Sequence, residues 1–454
     1  MKKHFGYFIF LGVFLLMCLW PLVGMAMTGP SVAIGNEHLA PLPSITKANG
    51  ALNPSFLNDT SDYFADHFAA RQELITANAR LEAALFGESA EEKVILGKDG
   101  WLFYQSTLDD YQGQNLLSDR EIWSAAHCLS LMQEYAQERN ALFLFTVAPN
   151  KNTLYPEYMP ARFLRSDAPG NAERLYDALL QEGVTVADLE AAFRAEDRVL
   201  YYRLDSHWNS LGAALAHDTI LNALGKDAPR VYDPDRFTEE KHYNGDLDVM
   251  LYPLGSDTDV DYVPNWQWYF SINEPFHSAE DQMIHTLRAE RSGSLLMFRD
   301  SFGNSLYPFM ADSFFEARFS RAMPYDLSLL DEFHSDTLVI ELVERNIVWL
   351  TQRAPILSAP IRQISVPAVS NDAAAFTFTF TQTDGAVCCT GNLNCTPDTD
   401  SPIWLVCDGA VYEATPAGSG ELPFTAYLAS QPAALQIMFL QNGTPVISPV
   451  FPCS

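Results

Sequence analysis

The chain has 454 residues, 48% of them hydrophobic and 12% aromatic, with 57 acidic against 28 basic side chains and a formal charge of −29. That is enough apolar material for two to three packed domains. The acidic balance excludes a nucleic-acid or anionic-lipid surface, because both need a basic footprint.

Lys2 and Lys3 precede an uncharged run from Phe5 to Met27. It is longer than the ~7–15 residues of a signal-peptide core and matches the ~20 that cross a bilayer. Residues 1–30 are read as a signal peptide or N-terminal membrane anchor, the anchor being favoured, with the lysines in the cytoplasm. Gly24 and Ala26 leave cleavage open. Both readings export the remainder, either anchored at the cell surface or secreted.

Residues 31–58, rich in Pro, Gly, Ser and Asn, read as a linker. From Asp59 to Phe86 the three- and four-residue recurrence of Tyr63, Phe64, Phe68, Leu74, Leu81 and Leu85 predicts a helix, with Thr60 or Ser61 as cap. Asp99-Gly100 between two apolar runs predicts a hairpin. Ser118, with Glu121 at the capping-box position, opens a helix to Asn140. The continuous apolar run Ala141–Ala148 has the composition of a strand buried on both faces. It is followed by a helix at 171–182, a short strand at 184–188, the stretch Val199–Asn209 and a helix from Ser210 to Leu224. Residues 225–290 lose the rhythm and are read as an insertion or lid. Strand and helix then alternate again: Ser294–Phe298, a helix to about Asp312, Phe314–Ser320, Tyr325–Glu332 and Thr337–Val343. Such alternation predicts one three-layer α/β domain with a parallel sheet over residues 59–352.

Residues 356–454 change style. Phe376-Thr377-Phe378-Thr379-Phe380-Thr381 alternates strictly and the turns are rich in Gly and Pro, which predicts a small C-terminal β-sandwich-like module. Five of seven cysteines lie there (Cys388, Cys389, Cys395, Cys407, Cys453) without zinc-ligand spacing, so disulfides in an oxidising compartment are expected. Cys128 is expected in the core.

Reactive groups in open α/β sheets collect at the carboxyl ends of strands. Three polar clusters occupy such positions: Pro149–Asn152, Asp205–Asn209 and Arg299–Asn304. In an extended segment Asp205 and His207 leave the same face, and a carboxylate beside an imidazole fixes its tautomer and keeps it basic. Ser301, between a buried strand and a helix start, presents its hydroxyl at a strand tip near free backbone N–H groups. The assignment is Ser301 as nucleophile, His207 as general base and Asp205 as its orienter. Gly303 and Asn304 suit a close backbone approach to an oxyanion. Arg299, Lys151 and Asn150 are further substrate or oxyanion candidates, Lys151 as holder of an anionic group, and Trp208 and Asn209 are candidate site walls. No cofactor or metal is implied, since His207 lacks a partner at ligand spacing.

Asp205-Ser206-His207-Trp208 resembles the signature of the DHHW proteins and of the related proteins that O-acetylate alginate, whose fold is similar to that of SGNH hydrolases. Gly97–Tyr104, Ala148-Pro149-Asn150-Lys151 and Arg299–Gly303 are similar to other recurring stretches of that group, in the same order. The resemblance spans roughly residues 55–350 and implies an SGNH-hydrolase-like domain with Asp205, His207 and Ser301 as its catalytic triad. Ser206 departs from the histidine of the signature, and its side chain is expected to face away. The C-terminal module carries no resemblance, so alginate itself is not implied.

The function expected is serine-dependent transfer or removal of an acyl group, most simply acetyl, on an exported polysaccharide or cell-wall glycan. A membrane-bound O-acyltransferase is the expected partner if the acyl group is membrane-delivered. The alternative is a catalytically inactive, membrane-tethered glycan-binding or assembly protein.

Overall fold

The computed structural model describes residues 2–32, 38–226, 230–255, 257–273, 275–371, 374–383 and 385–453. A helix Lys2–Thr28 opens the chain, and its stretch Tyr7–Thr28, of mean hydropathy 2.4, is long and apolar enough to cross a membrane. The single helix predicted over 59–86 is two, Phe56–His67 and Arg71–Phe86, because Ala70 between them is left-handed (φ 64°). Thr60 lies inside the first, its hydroxyl donating to the Phe56 carbonyl (2.6 Å) instead of capping.

The strands, in chain order, begin with the predicted hairpin, β1 (Val94–Leu96) and β2 (Leu102–Tyr104), paired antiparallel. Its turn places Asp99 and Gly100 at φ 54° and 75°, the left-handed region that Asp tolerates and Gly favours. Then come β3 (Leu142–Ala148), β4 (Val186–Ala187), β5 (Phe237–Tyr243), β6 (Asp259–Pro264), β7 (Ser271–Asn273), β8 (Met283–Leu287), β9 (Ser294–Phe298), β10 (Glu316–Ser320) and β11 (Thr337–Val343). Seven of these form the main sheet in the order β4-β3-β11-β9-β10-β8-β7. The first five are parallel, and β8 and β7 add antiparallel at one edge.

The period of two along each central strand sends alternate residues into two cores. On β9, Leu295 and Met297 face one side, and Leu296 and Phe298 the other. The first side packs against helices Ser210–Ala223 and Gly303–Ala311, the second against Asp119–Glu138 and Asn171–Gln181. The result is a three-layer α/β domain. Helix Asp119–Glu138 starts in the predicted capping box of Ser118 and Glu121, and Cys128 on it is fully buried.

The stretch read as an insertion or lid, 225–290, supplies more than a cover. Its β7 and β8 extend the main sheet, while β5 and β6 pair with each other and flank a short helix, Asp246–Leu251. Polar and aromatic composition concealed these strands, which are short or largely exposed.

The C-terminal module is a β-sandwich-like pair of sheets: β12 (Phe376–Thr383), β13 (Ala386–Leu393) and β16 (Pro423–Leu428) face β14 (Ile403–Cys407), β15 (Ala410–Ala414), β17 (Ala434–Gln441), β18 (Thr444–Ile447) and β19 (Phe451–Pro452). Phe376, Phe424, Leu405, Ile437 and Phe439 fill the space between. The expected disulfides are absent among the described residues, where Cys128, Cys388, Cys389, Cys395, Cys407 and Cys453 are all free thiols. Adjacent positions on β13 send Cys388 and Cys389 to opposite faces. Burial pushes the Cys389 thiol up to about 12, so it serves as a small apolar core residue.

Candidate active site

The segment around Asp205 is a tight loop, not the extended strand expected from its spacing. Tyr201 bridges Trp208. The Tyr202 N–H donates to the His207 carbonyl (3.2 Å) and the Asn209 N–H to the Leu200 carbonyl (2.8 Å). Within the bend, Asp205 Oδ1 accepts from the His207 backbone N–H (2.8 Å) and from its Nδ1 (2.7 Å). An Asx-type turn therefore brings carboxylate and imidazole together, a local device that does not need strand geometry. Asp205 is 2% exposed, and its second oxygen accepts from the Asp246 N–H (2.8 Å) and the Tyr243 hydroxyl (3.3 Å). Tyr243 is held by stacking flat on Tyr202, ring centroids 3.9 Å apart.

The serine turn follows the end of β9 as predicted. Asp300 accepts the Phe302 N–H (2.9 Å) on one oxygen and the Val343 N–H (2.8 Å) on the other, tying the turn to the end of β11. From the opposite side the Trp208 indole N–H donates to Ser305 Oγ (2.7 Å) and the Phe302 carbonyl (3.1 Å). The Phe302 ring lies 4.7 Å from the His207 ring. So held, Ser301 Oγ stands 2.8 Å from His207 Nε2. Ser301, His207 and Asp205 form one hydrogen-bonded chain.

Burial by itself favours the neutral Asp205 acid, but the His207 imidazolium and the N–H donors hold its carboxyl down at about 2. For His207, burial works against the charged ring, and the carboxylates of Asp205 and then Asp246 outweigh it and raise its value above the ordinary one. Asp246 is itself pushed up, by burial and then by the charge of Asp205. Its Oδ2 is 3.8 Å from His207 Nδ1. Ser206, expected to face away, instead packs buried against Asp246: its N–H donates to Oδ1 (2.9 Å) and its hydroxyl to Oδ2 (2.7 Å). The ligand atoms of Asp205, His207 and Asp246 lie within 4.8 Å of one another. They offer one imidazole and two carboxylates already engaged by N–H and O–H donors, which suits acid–base chemistry better than a transition metal.

The remaining predicted residues divide by how their polar atoms are spent. Lys151 does not present a cation to the serine. It is 3% exposed, and its ammonium donates to the carbonyls of Leu102 (2.7 Å), Arg203 (2.8 Å) and Asp205 (2.9 Å), joining the β1–β2 hairpin to the loop that carries the pair. Burial pushes this amine down to about 7. Asn209 caps helix Ser210–Ala223 by accepting from the Gly212 N–H (3.0 Å), and Trp208 is fully buried, so neither is a site wall. The Asn150 side chain donates to Asp110 (3.1 Å), and its backbone N–H to Glu344 (2.7 Å). Arg299, buried, donates to Asn304 Oδ1 (2.6 Å) and the Ala279 carbonyl (2.7 Å), and the Asn304 amide donates to Glu280. Gly303 has no room for a Cβ, which would meet Arg299 Cδ at 2.5 Å.

Ser301 opens into a cleft of about 1420 Å³ whose lining includes Tyr104, Arg299, Glu341, Arg345 and Trp349. Asp246, Tyr243 and Arg345 were not among the residues singled out from the sequence, and Asp300 entered only as part of the Arg299–Asn304 cluster. For Arg345 a signal existed: it follows β11, a buried central strand, in the same way that the serine turn follows β9.

Residues 94–274 match the family described as "SGNH hydrolase-like domain, acetyltransferase AlgX". The matched span contains Gly97–Tyr104, Ala148–Lys151 and Asp205–Trp208 and ends before Ser301. The chain is 24% identical over 253 residues to the probable alginate O-acetylase AlgJ of Pseudomonas syringae pv. tomato, covering 54% of this chain and 59% of that one. It is 29% identical over 190 residues to the probable alginate O-acetylase AlgJ of Pseudomonas aeruginosa, covering 39% and 45% respectively. The chain thus spans about half the length of these curated relatives. Among solved structures, a DHHW family protein from Eubacterium siraeum is similar at 17% identity and a TM-score of 0.40, over 56% of this chain and 95% of that one. The α/β domain is SGNH-hydrolase-like, and the chain is similar to the DHHW and alginate O-acetylation proteins.

Proposed function

We propose that this protein is an exported serine-dependent acyltransferase or esterase that moves an acetyl group on or off a polysaccharide. The observation that carries the reading is the continuous relay from Ser301 Oγ through His207 Nε2 (2.8 Å) and Nδ1 to Asp205 (2.7 Å). His207 takes the serine proton as Ser301 attacks the acyl carbonyl, and returns it to the departing oxygen. The acyl-serine is then resolved by a sugar hydroxyl or by water, with His207 again as base. Asp205, held ionised, keeps the Nδ1–H tautomer and stabilises the imidazolium between the two half-reactions. The similarity to probable alginate O-acetylases supports acetyl as the group and an envelope glycan as acceptor.

The apolar stretch Tyr7–Thr28 anchors the enzyme, with the catalytic domain on the outer side of the membrane. A membrane-bound O-acyltransferase delivers the acyl group. The test is acetyl-ester turnover by the full chain, wild type against Ser301→Ala and His207→Ala, each variant expected to lose at least about 10³-fold in kcat. Retained activity in both would refute the relay. Incubation with acetylated donor and a glycan acceptor, followed by mass analysis, separates transfer from hydrolysis.

A further inference from the structure

If Ser301 transfers acyl groups as proposed, the site must also hold an oxyanion. A serine attack on an ester places a negative charge on the carbonyl oxygen, and that charge needs more than one preorganised donor. At the serine turn the Phe302 N–H is taken by Asp300, and the Asn304 N–H by the Ser301 carbonyl (3.1 Å). The Asn304 side-chain amide is taken by Glu280. Among the described residues only the Ser301 and Gly303 N–H groups of the turn have no acceptor, and Gly303 is buried beneath the Arg299 side chain.

Arg345 is a further donor without a hydrogen-bond acceptor among the described residues, and its cation–π contact with Phe302 places it next to the serine, whereas Arg353 on the same cleft lies over Trp349. Arg345 lines the same cleft as Ser301. Asp300, the residue before the serine, is bonded to Val343, two residues before the arginine, so the two strand ends lie side by side. The guanidinium carbon sits 5.5 Å from the Phe302 ring centroid and 5.5 Å from that of Tyr104, braced between two aromatic faces. No carboxylate or carbonyl hydrogen-bonds it among the described residues, and the charge of Asp110 reaches it through space. In a chain of net charge −29 this half-buried arginine makes no direct ion pair, which leaves its N–H groups free for a ligand. Its neighbour Glu344 is turned away, accepting from the Asn150 N–H (2.7 Å) and the Thr153 hydroxyl (2.8 Å).

We propose that Arg345 is the second donor of the oxyanion site, acting with the Ser301 N–H on the acyl carbonyl oxygen of an O-acetyl ester. In the step, Ser301 Oγ bonds to the carbonyl carbon as its proton passes to His207 Nε2. The carbonyl π pair moves onto oxygen, where the guanidinium and the N–H hold it. Collapse reforms the carbonyl and expels the alcohol oxygen, which takes the proton back from His207. A fork of fixed N–H donors suits a developing oxyanion better than a mobile ammonium does.

The test uses p-nitrophenyl acetate, a small neutral ester that needs no sugar or anion subsite, with the full chain carrying Arg345→Met and Arg345→Lys. Arg345→Met is expected to lower kcat by about 10²–10³-fold with KM little changed. Arg345→Lys should recover part of that loss by keeping a positive charge. Because Arg345 also disfavours the His207 imidazolium, its removal should move the acid limb of the pH–rate profile to higher pH, a readout that a packing role would not shift. Wild-type kcat in Arg345→Met on this ester, or a loss confined to KM for a glycan, overturns the proposal. Failure of the triad reading is separately visible. There, wild type itself would not turn over the ester and Ser301 would not be labelled by a sulfonyl fluoride, and the role of Arg345 would fall with it.

Discussion

Replacing Asp246 by asparagine removes one charge from beside His207 while keeping the shape of the site. The backbone N–H that Asp246 donates to Asp205 is untouched, and an amide oxygen can still accept from the Ser206 N–H. What is lost is a negative charge 3.8 Å from His207 Nδ1. At that separation the attraction is worth about 1 kcal/mol if screened as in water and about 4 kcal/mol at an effective dielectric of about 20. The lower figure alone changes the ratio of imidazole to imidazolium about fivefold. The upper end is an overestimate here, because burial and Asp205 raise the Asp246 value and leave it incompletely charged at acidic pH.

The sign follows from the role of the ring. His207 must be neutral to accept the serine proton, and both carboxylates favour its charged form. Asp246→Asn should therefore move the acid limb of kcat/KM to lower pH. At a fixed pH on that limb the rate, relative to the plateau, should rise by up to about fivefold. The assay is p-nitrophenyl acetate hydrolysis across the acid range, with melting temperature as the check that the variant folds. An acid limb that stays in place or moves upward would refute the electrostatic reasoning.

Three further outcomes are expected. Lys151→Met leaves the buried Leu102 and Asp205 carbonyls without their donor, while the Arg203 carbonyl keeps the Leu102 N–H, and should cost at least about 2 kcal/mol in denaturant unfolding; near-wild-type stability would show that the ammonium is not the fastener. Gly245→Ala puts a Cβ 2.2 Å from the Leu204 carbonyl oxygen, on backbone that cannot swing aside. It should destabilise by about 1–3 kcal/mol and reduce esterase activity by displacing Asp246 from Asp205, both measurable on the same preparation. His127 is buried where the two parts of the chain meet, its ring nitrogens 2.9 Å from Glu182 and 2.8 Å from Glu413 of the C-terminal module. Burial disfavours its charge, but the two carboxylates outweigh that and raise its value. Its contribution is therefore full below the ordinary value of 6.5 and fades as pH rises through the folded one. His127→Gln should accordingly flatten the decline of melting temperature above that pH, and an unchanged slope would remove His127 from the account.

Some of this architecture was legible in the residues alone. Apolar runs such as Ala141–Ala148 and Ser294–Phe298 declare central strands because both of their faces are buried. The capping box at Ser118 declares a helix start because it is a purely local bond pattern. The serine turn and the Asp205–His207 pair were legible for the same reason, since each is a short motif whose geometry is made within a few residues. The extended segment that the spacing predicts is replaced by an Asx turn, which gives Asp205 and His207 the same meeting by another route.

What only the tertiary structure decided is where each polar side chain spends its hydrogen bonds. Lys151 and Asn209 lie in the clusters that the sequence marks as reactive, and folding commits one to three carbonyls and the other to a helix cap. Asp246 lies 41 positions after Asp205 in a stretch without periodicity, and folding sets it against the imidazole. Arg345 becomes a candidate donor because β11 ends beside β9, a neighbour relation between strands far apart in the chain. Hydrophobic periodicity records which face is buried, and local motifs record which residues meet their near neighbours. Neither records the partners that a charged group finds, or fails to find, across the sheet.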